Sequence, residues 1–206
     1  MVERGAVCFD FHHTLVDYEG HLRPGTIDLF KNLQKSGMAI ILTTTGGKQH
    51  LQDVMSATGI RSYFANVFEG SETNVGSGKM YGPAAAALGL SSKEAPHKMI
   101  AIGDLLDDQP ADLPIVFIHH PSGFRYDASL LDHLIQRLLR AGRNSFIEGF
   151  DKIKRDQKTP VLDGISVTLS YRDPREGGKN LPLFTPGIRI PTISVVGADK
   201  YLRNRF

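Results

Sequence analysis

Four short runs in this chain are apolar at every position, and each stops at a polar residue. Ala6–Phe9 ends at Asp10, Met38–Leu42 at Thr43, Met99–Ile102 at Gly103-Asp104 and Ile115–Ile118 at His119-His120. A strand without polar alternation has both faces covered, which is the condition of a parallel sheet between two layers of helices. The intervening segments have helical spacing. Ile27, Leu29, Phe30 and Leu33 share one face of 24–34, which closes at Gly37; a second stretch runs over about 49–57 and closes at Gly59; residues 82–90 are alanine-rich. Residues 64–68 supply a further short strand. The alternation predicts an α/β fold, a Rossmann-like doubly wound parallel sheet. Such sheets carry their sites at the carboxyl ends of the strands.

Residues 128–156 read as one or two more helices, with Leu130, Leu131, Leu134, Ile135, Leu138 and Leu139 on a common face and a break near Gly142. Beyond Pro160 the pattern changes. Ile165, Val167, Leu169 and Tyr171 alternate with polar residues, the period of a half-buried strand, and Ile188, Ile190 and Ile193–Val196 suggest more extended chain. A boundary near 158 therefore divides an α/β body, 1–157, from a β-rich C-terminal extension, 158–206. A small cap, an edge addition to the sheet and an oligomer contact all fit that extension.

No run approaches the roughly 18 apolar residues of a membrane span, and the opening segment is too short and too acidic at its end for a signal peptide. The lone cysteine, Cys8, sits inside an apolar run and excludes an internal disulfide framework. A cytoplasmic protein with no membrane partner is the expectation. The net charge of +2 is too weak to argue for nucleic acid, which is not favoured as a partner. The charge is uneven, however: residues 141–206 hold 12 Lys and Arg against 7 Asp and Glu. That basic end is a candidate to fold over the crevice and hold an anionic substrate.

Polar residues gather where the strands end: Asp10 to Asp17 after the first, Thr43-Thr44-Thr45-Gly46 after the second, Gly103-Asp104 to Asp108 after the fourth, with Lys79 just before the alanine-rich helix. Alone, Asp104 reads as a turn residue and Lys79 as a solvated surface lysine; their convergence at one sheet edge is what gives them meaning. Phosphoryl transfer is the chemistry that wants such a set: a carboxylate nucleophile, a hydroxyl and backbone N–H groups around the phosphate oxygens, a lysine and a divalent cation. Magnesium takes hard oxygen ligands, usually one or two carboxylates, and Asp10 and Asp104 are the pair available.

The run Asp10-Phe11-His12-His13-Thr14-Leu15 resembles the first motif of haloacid-dehalogenase-type phosphatases, an apolar strand followed by Asp-x-Asp-x-Thr-Leu. Met38 to Thr45 is similar to their second motif, with Thr44 the best match and Thr43 the alternative. Lys79 with its helix resembles the third, and Gly103-Asp104 with Asp108 the fourth. The resemblance covers about residues 5–125 and implies specific roles. Asp10 attacks phosphorus and forms an aspartyl-phosphate, Thr44 and Lys79 hold the transferring group with Thr43, Thr45 and Gly46 around the phosphate, and Thr14 steadies the loop. Asp10, the backbone carbonyl of His12 and Asp104 bind Mg²⁺, with Asp108 or Asp107 in support.

One position departs from the motif. The second acidic residue, which protonates the leaving group and then activates water, is His12 here. An imidazole with an ordinary pKa of about 6.5 also does acid–base work, so slow turnover is one expectation. A catalytically weak or inactive protein that binds a phosphorylated ligand or a protein partner is the alternative. The 23 residues between Thr14 and Met38 and the 34 between Thr44 and Lys79 leave no room for an inserted domain. This resembles the capless branch of the family. Its members tend to act on large or accessible substrates or are closed by subunits of an oligomer, so a phosphorylated small molecule or an accessible macromolecular phosphoester is the expected substrate, and a homo-oligomer is a candidate assembly.

Overall fold

The computed structural model describes residues 5–45, 48–70, 78–120, 128–156, 161–162, 165–173 and 188–196. The fully apolar runs are the central strands of one sheet: β1 (Gly5–Phe9), β2 (Met38–Thr44), β4 (Met99–Gly103) and β5 (Val116–His119). Every residue of β1, β2 and β4 is buried, as strands covered on both faces must be. β3 (Asn66–Glu69), at the edge, is only half-buried. It begins two residues later than the sequence suggests, because a 3₁₀ turn over Ile60–Tyr63 precedes it and Arg61 Nη1 donates to the Phe64 carbonyl at 3.0 Å.

With β6 (Val161–Leu162), β7 (Ile165–Arg172) and β8 (Ile190–Val196), the eight strands among the described residues lie in the order β3-β2-β1-β4-β5-β8-β7-β6. The first six are mutually parallel, and β7 and β6 close the far edge antiparallel. The β-rich extension is therefore an addition to the sheet edge. β8 pairs parallel with β5, and Val167, Ile193 and Val195 are buried in the main core. From β1 the chain proceeds to β2 and β3 on one side, and β4 leads to β5 and β8 on the other. The crevice between β1 and β4 is thus the point where the winding reverses, the place where such sheets bind ligands.

Helices α1 (Thr26–Lys35), α2 (Lys48–Thr58), α5 (Ala128–Ala141) and α6 (Phe146–Arg155) cover one face. Their apolar stripes, such as Leu29, Phe30 and Leu33 of α1 and Leu130 to Leu139 of α5, pack on the even-facing strand residues Ile40, Leu42, Ile100 and Ile102. The other face carries α3 (Gly82–Ala87) and the single turn α4 (Ala95–Lys98), packed on Cys8, Ile41 and Ala101. Their alanines lie close against the sheet and leave room for Tyr81, which is fully buried there. Among the described residues, no helix is long and apolar enough to cross a membrane.

Candidate active site

Asp10 follows β1 directly. Its N–H donates to the Ile102 carbonyl on β4 at 2.9 Å, which seats the residue over the crevice between the two strands. Asp104 stands just past the end of β4, where Thr14 donates to its carboxylate at 3.4 Å. The chain then turns back through residues 106–108, and Asp108 Oδ2 accepts from the Leu105 N–H at 2.9 Å. The turn brings Asp108 against Gly103, where a Cβ would lie 2.7 Å from its Oδ2 and 2.8 Å from its Cγ. Glycine at 103 is what lets that carboxylate reach the strand end. Asp10, Asp104 and Asp108 are all buried, with carboxylate oxygens within 4.8 Å of one another.

Lys79 enters this acidic centre from the opposite layer. Its ammonium donates to Asp10 Oδ1, lies 2.7 Å from Asp108 Oδ1 and reaches the Thr43 carbonyl at 3.3 Å. A long cationic side chain is almost never so buried unless it is paired, and here the pairing is complete. Burial pushes the Asp10 carboxyl up to about 7, against the pull of the Lys79 ammonium and with a further push from Asp108. Burial also disfavours the ammonium, but the two carboxylates outweigh it and hold Lys79 above the usual lysine range.

Once Asp10 gives up its proton, three carboxylates beside one ammonium leave a formal excess of two negative charges in a buried space. Hard oxygen donors with that charge suit a divalent cation such as Mg²⁺, so the residues present fit the metal that the motifs imply.

The structure also separates candidates that the sequence leaves open. Asp108 joins the cluster, whereas Asp107 is exposed. The register sets Leu42 opposite Phe9 and thus Thr43 level with Asp10; Thr43 Oγ1 donates to the Phe9 carbonyl at 3.3 Å. Thr44 is buried, and by strand alternation its side chain faces the layer that contains Leu42. Thr45 is exposed, and Gly46 lies outside the described residues. His12 is half-buried two residues past Asp10, its ring edge-on to Phe11 with centroids 5.0 Å apart.

Two further residues stand at the site, Tyr81 with no signal in the sequence and His119 marked there only as the polar end of an apolar run. Tyr81 donates its hydroxyl to the Asp108 carbonyl at 3.0 Å, and burial holds its phenol well above the usual range. A lone tyrosine before an alanine-rich helix reads simply as core. His119 Nε2 lies 3.1 Å from the Asp104 carbonyl, so the end of β5 holds the loop after β4 through its backbone. Burial keeps this imidazole below its ordinary pKa.

Residues 3–111, the span that contains all of these motifs, match the family described as hydrolase, haloacid dehalogenase-like hydrolase. No protein of curated function matches the chain. Among solved structures, a haloacid dehalogenase-like family hydrolase from Xanthomonas campestris is similar. It is 12% identical with a TM-score of 0.52, and the likeness covers 68% of this chain and 98% of that one. A HAD-superfamily hydrolase from Ehrlichia chaffeensis is 14% identical with a TM-score of 0.49, covering 65% and 97%. The first of these likenesses extends the family match to the fold.

Proposed function

Because the chain belongs to the haloacid dehalogenase-like hydrolase family, we propose that it hydrolyses phosphomonoesters through an aspartyl-phosphate on Asp10, with Mg²⁺ as cofactor. The observation that carries this reading is the meeting of Asp10, Asp104 and Asp108 with the Lys79 ammonium at the crevice between β1 and β4. Asp10 takes the nucleophile's role from its match to the first-motif aspartate, and its place directly after β1, with its N–H bonded to the Ile102 carbonyl on β4, supports that role. Its carboxylate oxygen bonds to phosphorus as the ester P–O bond breaks. His12, two residues on, gives its proton to the departing oxygen. The same imidazole then takes a proton from water, whose oxygen attacks phosphorus, frees inorganic phosphate and regenerates the Asp10 carboxylate.

Lys79 neutralises charge on the transferring group and holds Asp10 in place. Thr43 and Thr44, with Thr45 and Gly46 beyond them, are the candidates to receive the phosphate oxygens, and the register favours Thr43. Asp10, Asp104 and Asp108 with the His12 carbonyl are the ligands for Mg²⁺, which when bound neutralises charge on the phosphoryl oxygens. The substrate class is a phosphorylated small molecule or an accessible macromolecular phosphoester.

The test is phosphate release from an aryl phosphate and a panel of phosphorylated metabolites, with and without Mg²⁺, in the wild type and in Asp10→Asn. Metal-dependent release that disappears in Asp10→Asn supports the proposal. A folded protein that binds Mg²⁺ but releases nothing favours the second reading, to which His12 points: a binding protein that has lost its acid–base group.

A further inference from the structure

The way Lys79 reaches the centre has a specific physical basis. Its side chain is the most deeply buried cation of the described residues, yet it does not sit on a long helix or on a strand of the sheet. It sits on a short strap, 78–81, that leads into the six-residue helix α3. Such a strap needs something else to fix it.

The fixing element is the segment 108–112, which leaves the turn containing Asp108. The Lys79 N–H donates to the Gln109 carbonyl at 2.9 Å, and the Ala111 N–H returns to the Lys79 carbonyl at 2.9 Å, a parallel bridge of Lys79 with Pro110. Two residues further along, the Asp112 carboxylate takes both N–H groups at the start of α3. Oδ1 accepts from Tyr81 at 2.9 Å and Oδ2 from Gly82 at 2.6 Å. Glycine is required at 82 for this grip, since a Cβ there would lie 2.7 Å from Asp112 Oδ2. From the other side, the Tyr81 hydroxyl donates to the Asp108 carbonyl.

We infer that Asp112 is a positioning residue, which by clamping Tyr81 and Gly82 sets Lys79 against Asp10 and Asp108. Its role rests on the reading of Lys79 as a member of the active site, though the clamp itself does not. A bidentate carboxylate accepting two backbone N–H groups is a strong, directional hold. It joins the strap to the same loop that carries Asp108, so the lysine and that carboxylate are set as one unit. Displacement of such a supporting group is felt at the reacting atoms, where a shift of about 1 Å costs on the order of 100-fold in rate.

The experiment is amine labelling of the metal-free protein, read residue by residue by mass spectrometry, in the wild type, Asp112→Ala and Asp112→Asn. Exposed Lys31 and Lys93 serve as internal references. In the wild type Lys79 resists the reagent. In Asp112→Ala its labelling rises about 10-fold or more while Lys31 and Lys93 are unchanged, and kcat falls by about 10–100-fold, the usual effect of losing an outer-shell partner. Asp112→Asn, which keeps one acceptor oxygen, lies between the two. Should Asp112→Ala fail to fold, Gly82→Ala displaces the carboxylate instead, with the same selective labelling expected. Lys79 remaining protected in a folded variant, or all lysines rising together, overturns the role of Asp112. Selective exposure of Lys79 in a protein whose wild type releases no phosphate supports the clamp and overturns only the phosphatase reading.

Discussion

Replacing Lys79 by methionine removes the ammonium but keeps most of the side-chain volume, so it isolates the charge at the centre of the site. In the native protein that charge meets Asp10 and Asp108, with no solvent to take its place, since all three side chains are buried. Breaking a buried ion pair by removing one partner costs about 3–5 kcal/mol. Asp10, already pushed up to about 7, rises further in the variant and takes up a proton, which relieves part of the repulsion. The lower end, about 3 kcal/mol, is therefore expected, and for a chain of this size each kcal/mol lowers Tm by roughly 2–4 °C. In chelator at pH 8, Lys79→Met should melt about 6–12 °C below the wild type. A divalent cation replaces the missing positive charge. It binds the folded state alone and adds about 2.7 kcal/mol at 100 times its Kd, so Mg²⁺ should raise the Tm of the variant more than that of the wild type. Thermal unfolding across a Mg²⁺ titration reads both effects. Equal melting in chelator, or an equal response to Mg²⁺, refutes the view of Lys79 as the charge balancing this acidic centre.

The pH dependence has a definite sign. Because burial raises the Asp10 pKa from 3.8 to about 7, the folded state holds a proton that the unfolded chain releases, and metal-free stability contributed by this group is lost as pH rises from about 4 to about 7. Tm in chelator should fall across that window, less steeply in Asp10→Asn, and Mg²⁺ affinity measured by calorimetry should rise. His12→Asp, which supplies the carboxylate that the motif otherwise carries, should raise kcat by about 10²–10⁴-fold if acid–base work limits turnover; an unchanged rate argues for a binding role. Gly149→Ala sets a Cβ 2.8 Å from the carbonyl carbon of Leu138 where α5 and α6 meet, and overpacking of this kind costs about 1–3 kcal/mol, read as a lower Tm. Truncation after residue 158 removes Val167, Ile193 and Val195 from the core and should prevent folding, whereas truncation after Val196 retains all three. A raised KM in the latter would support contact of the basic end with an anionic substrate.

Much of this architecture was legible in the sequence because its strands are apolar at every position. A sheet covered on both faces accommodates Ala6–Phe9, Met38–Leu42 and Met99–Ile102, their alternation with helical segments makes it parallel, and the polar residues that end them then fall at one sheet edge. The meeting of Asp10, Lys79 and Asp108 follows from that logic. The choice between Thr43 and Thr44 does not, since it depends on the register Phe9 with Leu42, and neighbouring threonines are chemically the same. The placement of β8 beside β5 was equally hidden, because extended chain beyond residue 158 fits a sheet edge, a cap or an oligomer contact. The hold on Lys79 was hidden most deeply. Its bonds to Gln109 and Ala111 are between backbone groups, which any residue types supply, and Tyr81 and Asp112 show no periodicity that sets them apart from core and loop.

Trapping the phospho-enzyme shows whether Asp10 is the nucleophile. The protein is quenched in acid during turnover of an aryl phosphate with Mg²⁺, and its peptides are mapped by mass. One phosphoryl group is expected on the peptide containing Asp10, removed by hydroxylamine as an acyl phosphate must be, and absent from Asp10→Asn. Sustained phosphate release by Asp10→Asn, with no phosphoryl group on that peptide in the wild type, would rule Asp10 out as the nucleophile.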